Sequence, residues 1–257
     1  IILEITNPRG ARGGIRQVRA SFLRKFWIMA QGVAITLGIS VLGLYMRFTG
    51  TYERTFADRI LRWWSRSLLK SPGVRVHVSN PHNTTVIPGT PCIIMSNHRS
   101  HYDIPLIFTS LPGSIRMLTK KELFKVPIWG RGLKAAEFLS IDRHDHAQAI
   151  KDLEYAKEQM KSGIVLWIAP EGTRSRTGSL GEFKKGGFMV AIQTGATIIP
   201  VGIRDSEKIL KPGTWDFCLN QDVHITIGRP FDASTYTLET RDRLMEDVRR
   251  SIQELAQ

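Results

Sequence analysis

Hydrophobic positions change their spacing along this chain. From Phe26 to Met46 no charged residue occurs. A helix over that run spans about 31 Å, close to the thickness of a bilayer's hydrocarbon core. Gln31, Thr36, Ser40 and three glycines interrupt it, so it reads as a middling membrane segment, with a buried core helix as the alternative. Its length, and the lack of a small-residue cleavage site after it, argue against a cleaved signal peptide. Next, Phe56, Ile60, Trp63, Trp64 and Leu68 recur at helical spacing, and Arg54, Arg59, Arg62 and Arg66 fill much of the rest of the turn. A basic helix with paired Trp is expected among lipid headgroups. Both flanks of the apolar run are basic, which places both on the cytoplasmic side and favours a helical hairpin dipping into one leaflet over a simple span.

From about residue 73 the pattern turns to strands alternating with helices. Val74, Val76 and Val78 alternate, as in a strand with one buried face. Short apolar-rich runs at 92–96, 138–141, 164–168, 197–203 and 223–227 read as further strands, the one at 164–168 continuously apolar. Helices are expected at 103–111, at 145–162 with Ile150, Leu153, Ala156 and Met160 on one side, at 188–194 before Gly195, and at the end with Leu244, Val248, Ile252 and Leu255. The alternation predicts an α/β domain over 73–257, with a mostly parallel central sheet flanked by helices. A basic, membrane-associating two-helix segment over 1–72 precedes it. The chain opens on Ile1 rather than Met, so its natural start is expected upstream.

Charge sharpens that division. Of the net +13, +9 lies in residues 1–71, which hold 12 Lys/Arg against 3 Asp/Glu. A polyanionic partner is implied, and because the charges flank an apolar run, an anionic membrane surface is favoured over nucleic acid. No aromatic nucleic-acid-binding block is present. Two cysteines, Cys92 and Cys218, form no disulfide framework, and seven histidines without metal-ligand spacing give no metal site.

The chemistry gathers after the strands. The 92–96 run leads into Asn97, His98 and Asp103, with Pro105 suited to the first turn of a helix and Asp103 placed to cap it. Five residues apart, His98 and Asp103 would lie on different faces of one helix, but across a strand-to-helix turn they can meet. Asp103 can then accept one imidazole N–H and leave the other ring nitrogen outward as a base. The alternative is a capped helix with a surface histidine. The 138–141 run leads into Asp142 and Arg143, and the 164–168 run into Glu171, Gly172, Thr173 and Arg174; the alternative for Glu171, at the head of a turn, is a structural role holding Arg174 or backbone amides. If these strands are parallel, the groups share the carboxyl edge of the sheet, where open α/β sheets bind ligands. Arginine forks suit phosphate oxygens. A phosphate-bearing substrate with a hydroxyl to activate is the expected ligand. Lys120-Lys-Glu-Leu123 and Phe183-Lys-Lys-Gly-Gly187 are weaker anion-binding candidates.

Asn97-His98 with Asp103, Lys120-x-Glu-Leu, Ile141-Asp-Arg143, Glu171-Gly-Thr-Arg174 and Ile198-Ile-Pro-Val201 resemble, in order and spacing, the motifs of the glycerolipid acyltransferases. The resemblance runs over roughly residues 73–230 and is nearest to members that acylate lysophosphatidic acid. It implies transfer of a fatty acyl group from a thioester to the sn-2 hydroxyl of 1-acyl-glycerol-3-phosphate at the cytoplasmic face of a membrane, the inner membrane if the source is bacterial. His98 and Asp103 would be catalytic. Arg143, Glu171, Gly172, Thr173 and Arg174 would bind the acceptor phosphate, and Lys120 or backbone N–H groups near His98 would stabilise the oxyanion. The donor would be acyl-CoA or acyl carrier protein, with no bound cofactor. No G-x-S-x-G elbow is present, in keeping with a donor that needs no enzyme nucleophile. The chain departs from the family at Ala169, at His101-Tyr102, and at Glu137-Phe138 where a glycine is usual. Alternatives are another lysolipid or glycerol-3-phosphate as acceptor, or a non-catalytic membrane-binding module.

Overall fold

The computed structural model describes residues 18–142, 145–175 and 178–257. A two-residue strand β1 (Val18–Arg19) precedes helix α1 (Phe22–Phe48), which a turn joins to α2 (Arg54–Lys70). Strands and helices then alternate: β2 (Arg75–Ser79), β3 (Cys92–Ser96), α3 (Asp103–Ser110), β4 (Ser114–Lys120), α4 (Trp129–Ala135), β5 (Leu139–Ile141), α5 (His146–Lys161), β6 (Ile164–Ile168), α6 (Gly186–Thr194) and β7 (Thr197–Arg204). The short α7 (Ser206–Ile209), β8 (Cys218–Leu219), β9 (Asp222–Ile227), β10 (Phe231–Asp232) and α8 (Arg241–Leu255) complete it.

Five strands run parallel in the order β7-β3-β6-β4-β5, and β9 joins β7 antiparallel with β2 outside it. The unbroken apolar runs of β3 and β6 are those of strands buried on both faces. Ile94, Val165 and Trp167 face a core completed by α1, α2 and α3. Ile93, Met95, Leu166 and Ile168 face the opposite core, against α5, α6 and α8. On α8, Leu244, Val248 and Ile252 are fully buried, as their spacing predicts. On α5, Asp145 caps the start through the Gln148 N–H, but Ile150 of the expected apolar side is half exposed at 50%.

Strand β4 has no counterpart in the hydrophobic pattern. Its centre is Arg116, wholly buried, whose Nη1 lies 2.7 Å from Asp58 Oδ1 on α2. Its Nε donates to the Ala136 carbonyl at 2.5 Å, and Glu137 Oε2 stands 3.6 Å from Nη2. Glu137 also takes Arg54 at 2.9 Å and Arg47 at 3.5 Å. Burial works against its charge, but these guanidiniums hold the Glu137 carboxyl below the usual range. The cluster fastens the helical pair to the sheet. Glu137 adopts φ +64°, the left-handed region that glycine enters most readily.

Helices α1 and α2 form a hairpin. Trp64 Nε1 donates to Thr36 Oγ1 at 2.9 Å and Ser71 Oγ to Gln31 Oε1 at 2.7 Å. One face of α2 packs on the domain: Asp58, Leu61, Ser65 and Leu69 are buried, and Arg54 and Arg62 bond to Glu137 and to the Gly113 carbonyl, while Arg59, Trp63 and Arg66 face outward. By length and composition α1 could cross a membrane, with a mean hydropathy of 1.8 and 11% of the apolar window buried.

Candidate active site

The tips of β3 and β6 adjoin, because these strands are neighbours in parallel register, Met95 opposite Ile168. Asn97 extends the β3–β7 ladder by one step with its side chain: Nδ2 donates to the Ile203 carbonyl at 2.7 Å and Oδ1 accepts the Ile203 N–H at 2.8 Å. That pins the point at which the chain leaves the sheet. In the turn that follows, His98 Nδ1 lies 2.7 Å from Asp103 Oδ2. The same oxygen accepts the N–H groups of Arg99 at 2.7 Å and Ser100 at 2.9 Å. Asp103 therefore does not cap α3; Tyr102 occupies the N-cap without a side-chain bond, and the carboxylate instead closes the turn around the imidazole. An acceptor at Nδ1 fixes that nitrogen as the protonated one and leaves the Nε2 lone pair outward. His98 is 18% exposed, Asp103 wholly buried. The imidazole edge meets the Trp167 ring at 6.0 Å between centroids and 86° between planes. Trp167 is in turn held by Nε1 donating to Ser96 Oγ at 3.0 Å.

The loop after β6 is tied to this turn. Ser175 N–H donates to the His98 carbonyl at 2.8 Å, which brings the backbone at Arg174 up to the histidine turn, where the Arg174 charge acts on His101. Glu171 is buried and points away from a ligand role: Oε1 accepts the His98 N–H at 3.2 Å and Oε2 the Gly181 N–H at 2.7 Å. Burial pushes its carboxyl above the usual range, against the two amides that favour the charge. Gly172 takes φ +73° at the bend, and Thr173 is exposed. Arg143 lies outside the described residues. Lys120 ends β4, exposed and two strands from β3.

One expectation shifts here. The backbone amides of residues 98, 99 and 100, candidate oxyanion donors, are already bonded to Glu171 and Asp103. His101 lines an apolar groove of about 1190 Å³, part of it open to solvent, with Val33, Val126, Trp129, Leu210 and Phe217. Burial, then the charges of Arg174 and His98, hold its imidazole below the ordinary histidine value. A second apolar cleft of about 790 Å³, between α1, α2 and α4, shares Thr36 and Trp129 with the first. Sequence reasoning missed Trp167 as the wall of the imidazole, since an indole in a strand reads simply as core; of the two readings open for Glu171, the geometry favours the structural one, a brace on backbone amides. Among the described residues no group of three or more His, Cys, Asp or Glu could hold a metal ion.

Residues 75–204 match the family model described as Acyltransferase. The chain belongs to the acyltransferase family. A chloroplastic 1-acyl-sn-glycerol-3-phosphate acyltransferase of Brassica napus is 30% identical over 77% of this chain and 57% of its own length. The enzyme so named from Pseudomonas aeruginosa is 32% identical over 50% of this chain and 49% of its own. The chain thus spans about half to two thirds of the curated relatives it matches. The crystal structure of the 1-acyl-sn-glycerophosphate acyltransferase PlsC from Thermotoga maritima superposes with a TM-score of 0.72 over 91% of this chain and 95% of that one, at 24% identity. That likeness establishes the fold. Within the acyltransferase family's matched region lie the His98 turn, the Glu171–Arg174 loop and the buried Arg116 strand.

Proposed function

We propose that this acyltransferase transfers a fatty acyl group from an acyl thioester to the sn-2 hydroxyl of 1-acyl-glycerol-3-phosphate, making phosphatidic acid at the membrane surface. The observation that carries the reading is the 2.7 Å His98–Asp103 contact in a turn whose His101 and Tyr102 line an apolar groove, with the Arg174 loop bonded to that turn. His98 Nε2 takes the acceptor's hydroxyl proton as its oxygen attacks the thioester carbonyl. Asp103 stabilises the imidazolium that forms, and collapse of the tetrahedral intermediate expels the thiol, which receives that proton. Arg174, with Thr173 and Arg143, binds the acceptor phosphate, while Glu171 and Gly172 shape the loop that presents Arg174. The bonded state of the nearby amides leaves side-chain cations as oxyanion stabilisers, with Lys120 the candidate from its motif. The groove and the cleft behind it suit acyl chains.

Membrane attachment follows the same geometry. The N-terminal end of α1 is held by Lys25 to Asp216 at 2.5 Å and by Arg24 to the Ser71 carbonyl at 2.6 Å. Its other end is held by Arg47 Nε to the Ala135 carbonyl at 3.0 Å. A helix fastened to one domain at both ends supports a seat in one leaflet rather than a span, on the cytoplasmic side. The donor is acyl-CoA or acyl carrier protein. The test is to incubate purified protein with both donors and a panel of lysolipids and read products by mass spectrometry. Phosphatidic acid from lysophosphatidic acid is expected; acylation only of acceptors without phosphate would overturn the assignment.

A further inference from the structure

The exposed apolar surface is not confined to α1. Trp215 is 71% exposed and directly follows a turn closed by Thr214 N–H to the Lys211 carbonyl. That turn is clamped to the start of α1: Lys25 pairs with Asp216, and the Ala20 N–H donates to the Phe217 carbonyl at 2.9 Å. Trp215 adjoins Asp216 in this clamp, and the clamped end of α1 carries the exposed Phe22, Leu23 and Phe26. On the other side of the groove, Val126 and Ile128 are exposed at 39% and 45%. Ile128 takes φ +63° and ψ −62°, at the apex of a three-residue turn in which Trp129 N–H reaches the Pro127 carbonyl at 2.6 Å. A β-branched residue at positive φ is a backbone outlier. Here a residue ill suited both to the conformation and to water is held outward. The chain after it is locked: a Cβ at Gly130 would stand 2.3 Å from the Phe124 carbonyl oxygen, and one at Gly132 2.5 Å from Ser40 of α1. Exposed Lys125 and Lys211 lie in these same two turns.

Val126, Pro127, Leu210 and Phe217 line the groove from within, and Ile128 and Trp215 flank it from outside. We propose that the 126–128 and 211–216 turns are a second lipid-contact surface, which with α1 rings the groove and seats its mouth in the headgroup region of an anionic leaflet. The occupant is lipid: apolar tips beside lysines match acyl chains below anionic headgroups, and the surface continues that of α1. The inference deepens the acyltransferase reading, because a lysolipid would enter the groove laterally from the leaflet.

The test does not depend on catalysis. Cys92 is buried, so in a Cys218→Ser background single cysteines replace Leu23, Ile128, Trp215 or Tyr155, and each carries an environment-sensitive fluorophore. Vesicles of phosphatidylethanolamine and phosphatidylglycerol, with nitroxide-labelled lipid, are then added. Labels at 23, 128 and 215 should be quenched alike, and the label at 155, on α5 across the sheet, should not. Quenching at 23 with none above the 155 level at 128 and 215 would overturn this inference alone. No quenching at 23 either would overturn the membrane reading with it. Independently, the double variant Ile128→Ser, Trp215→Ser should keep its thermal midpoint yet bind vesicles about tenfold more weakly; unchanged binding would count against the proposal.

Discussion

Removing the Asp58 carboxylate tests how the helical pair is fastened to the sheet. In Asp58→Ala the wholly buried Arg116 loses its 2.7 Å partner, and Ser114 Oγ loses the acceptor it holds at 2.6 Å. Breaking a buried ion pair by deleting one partner costs about 3–5 kcal/mol, since the other charge is left without compensation. Glu137 stands 3.6 Å from the guanidinium and supplies part of that compensation, so the lower end, about 3 kcal/mol, is expected. For a chain of this size each kcal/mol moves the midpoint by about 2–4 °C, giving a fall of about 6–12 °C. Thermal unfolding followed by circular dichroism in detergent reads this directly. The companion double variant, Asp58→Leu with Arg116→Met, should recover most of the loss, because a packed apolar pair needs no compensation. A midpoint unchanged in Asp58→Ala would refute the argument. So would a double variant that falls as far as the single one.

Other outcomes follow from the site and from its supports. Asp103→Asn should lower kcat by about 10²–10⁴-fold with little change in KM, because an amide oxygen can still accept the Arg99 and Ser100 N–H groups but cannot balance an imidazolium; steady-state rates check it. Arg174→Ala should chiefly raise KM for a phosphorylated acceptor, measured against a neutral lysolipid. For Glu137 the folded-state pKa lies below its ordinary 4.5, so its contribution is present above that value and fades as pH falls through the folded value. Denaturant titrations from about pH 5 to about pH 3 should show stability falling more steeply in the parent than in Glu137→Gln.

The alternation of strands and helices was legible because β3 and β6 are unbroken apolar runs, as strands buried on both faces must be. The His98–Asp103 pairing was legible because residues five apart, set between an apolar strand and a helix start, can meet across the turn. Strand β4 was not. Arg116 reads as polar, and what lets it be buried is a carboxylate 58 residues earlier in the chain; pairing over such a separation leaves no local periodicity. Glu137 looked like a departure from a glycine motif, yet its left-handed backbone and its guanidinium contacts belong to one device that joins α1 and α2 to the sheet. For Glu171 a structural role on backbone amides was legible, but not which amides, since that depends on how two distant turns meet.

The account rests on His98 acting as the base on a substrate hydroxyl. The most direct measurement is the initial rate of phosphatidic acid formation by purified His98→Ala in vesicles carrying lysophosphatidic acid, with vesicle binding and thermal midpoint measured on the same sample. A fall of about 10²–10⁴-fold in rate, with binding and midpoint retained, is the predicted result. Acyl transfer at the parent rate by that variant would contradict it.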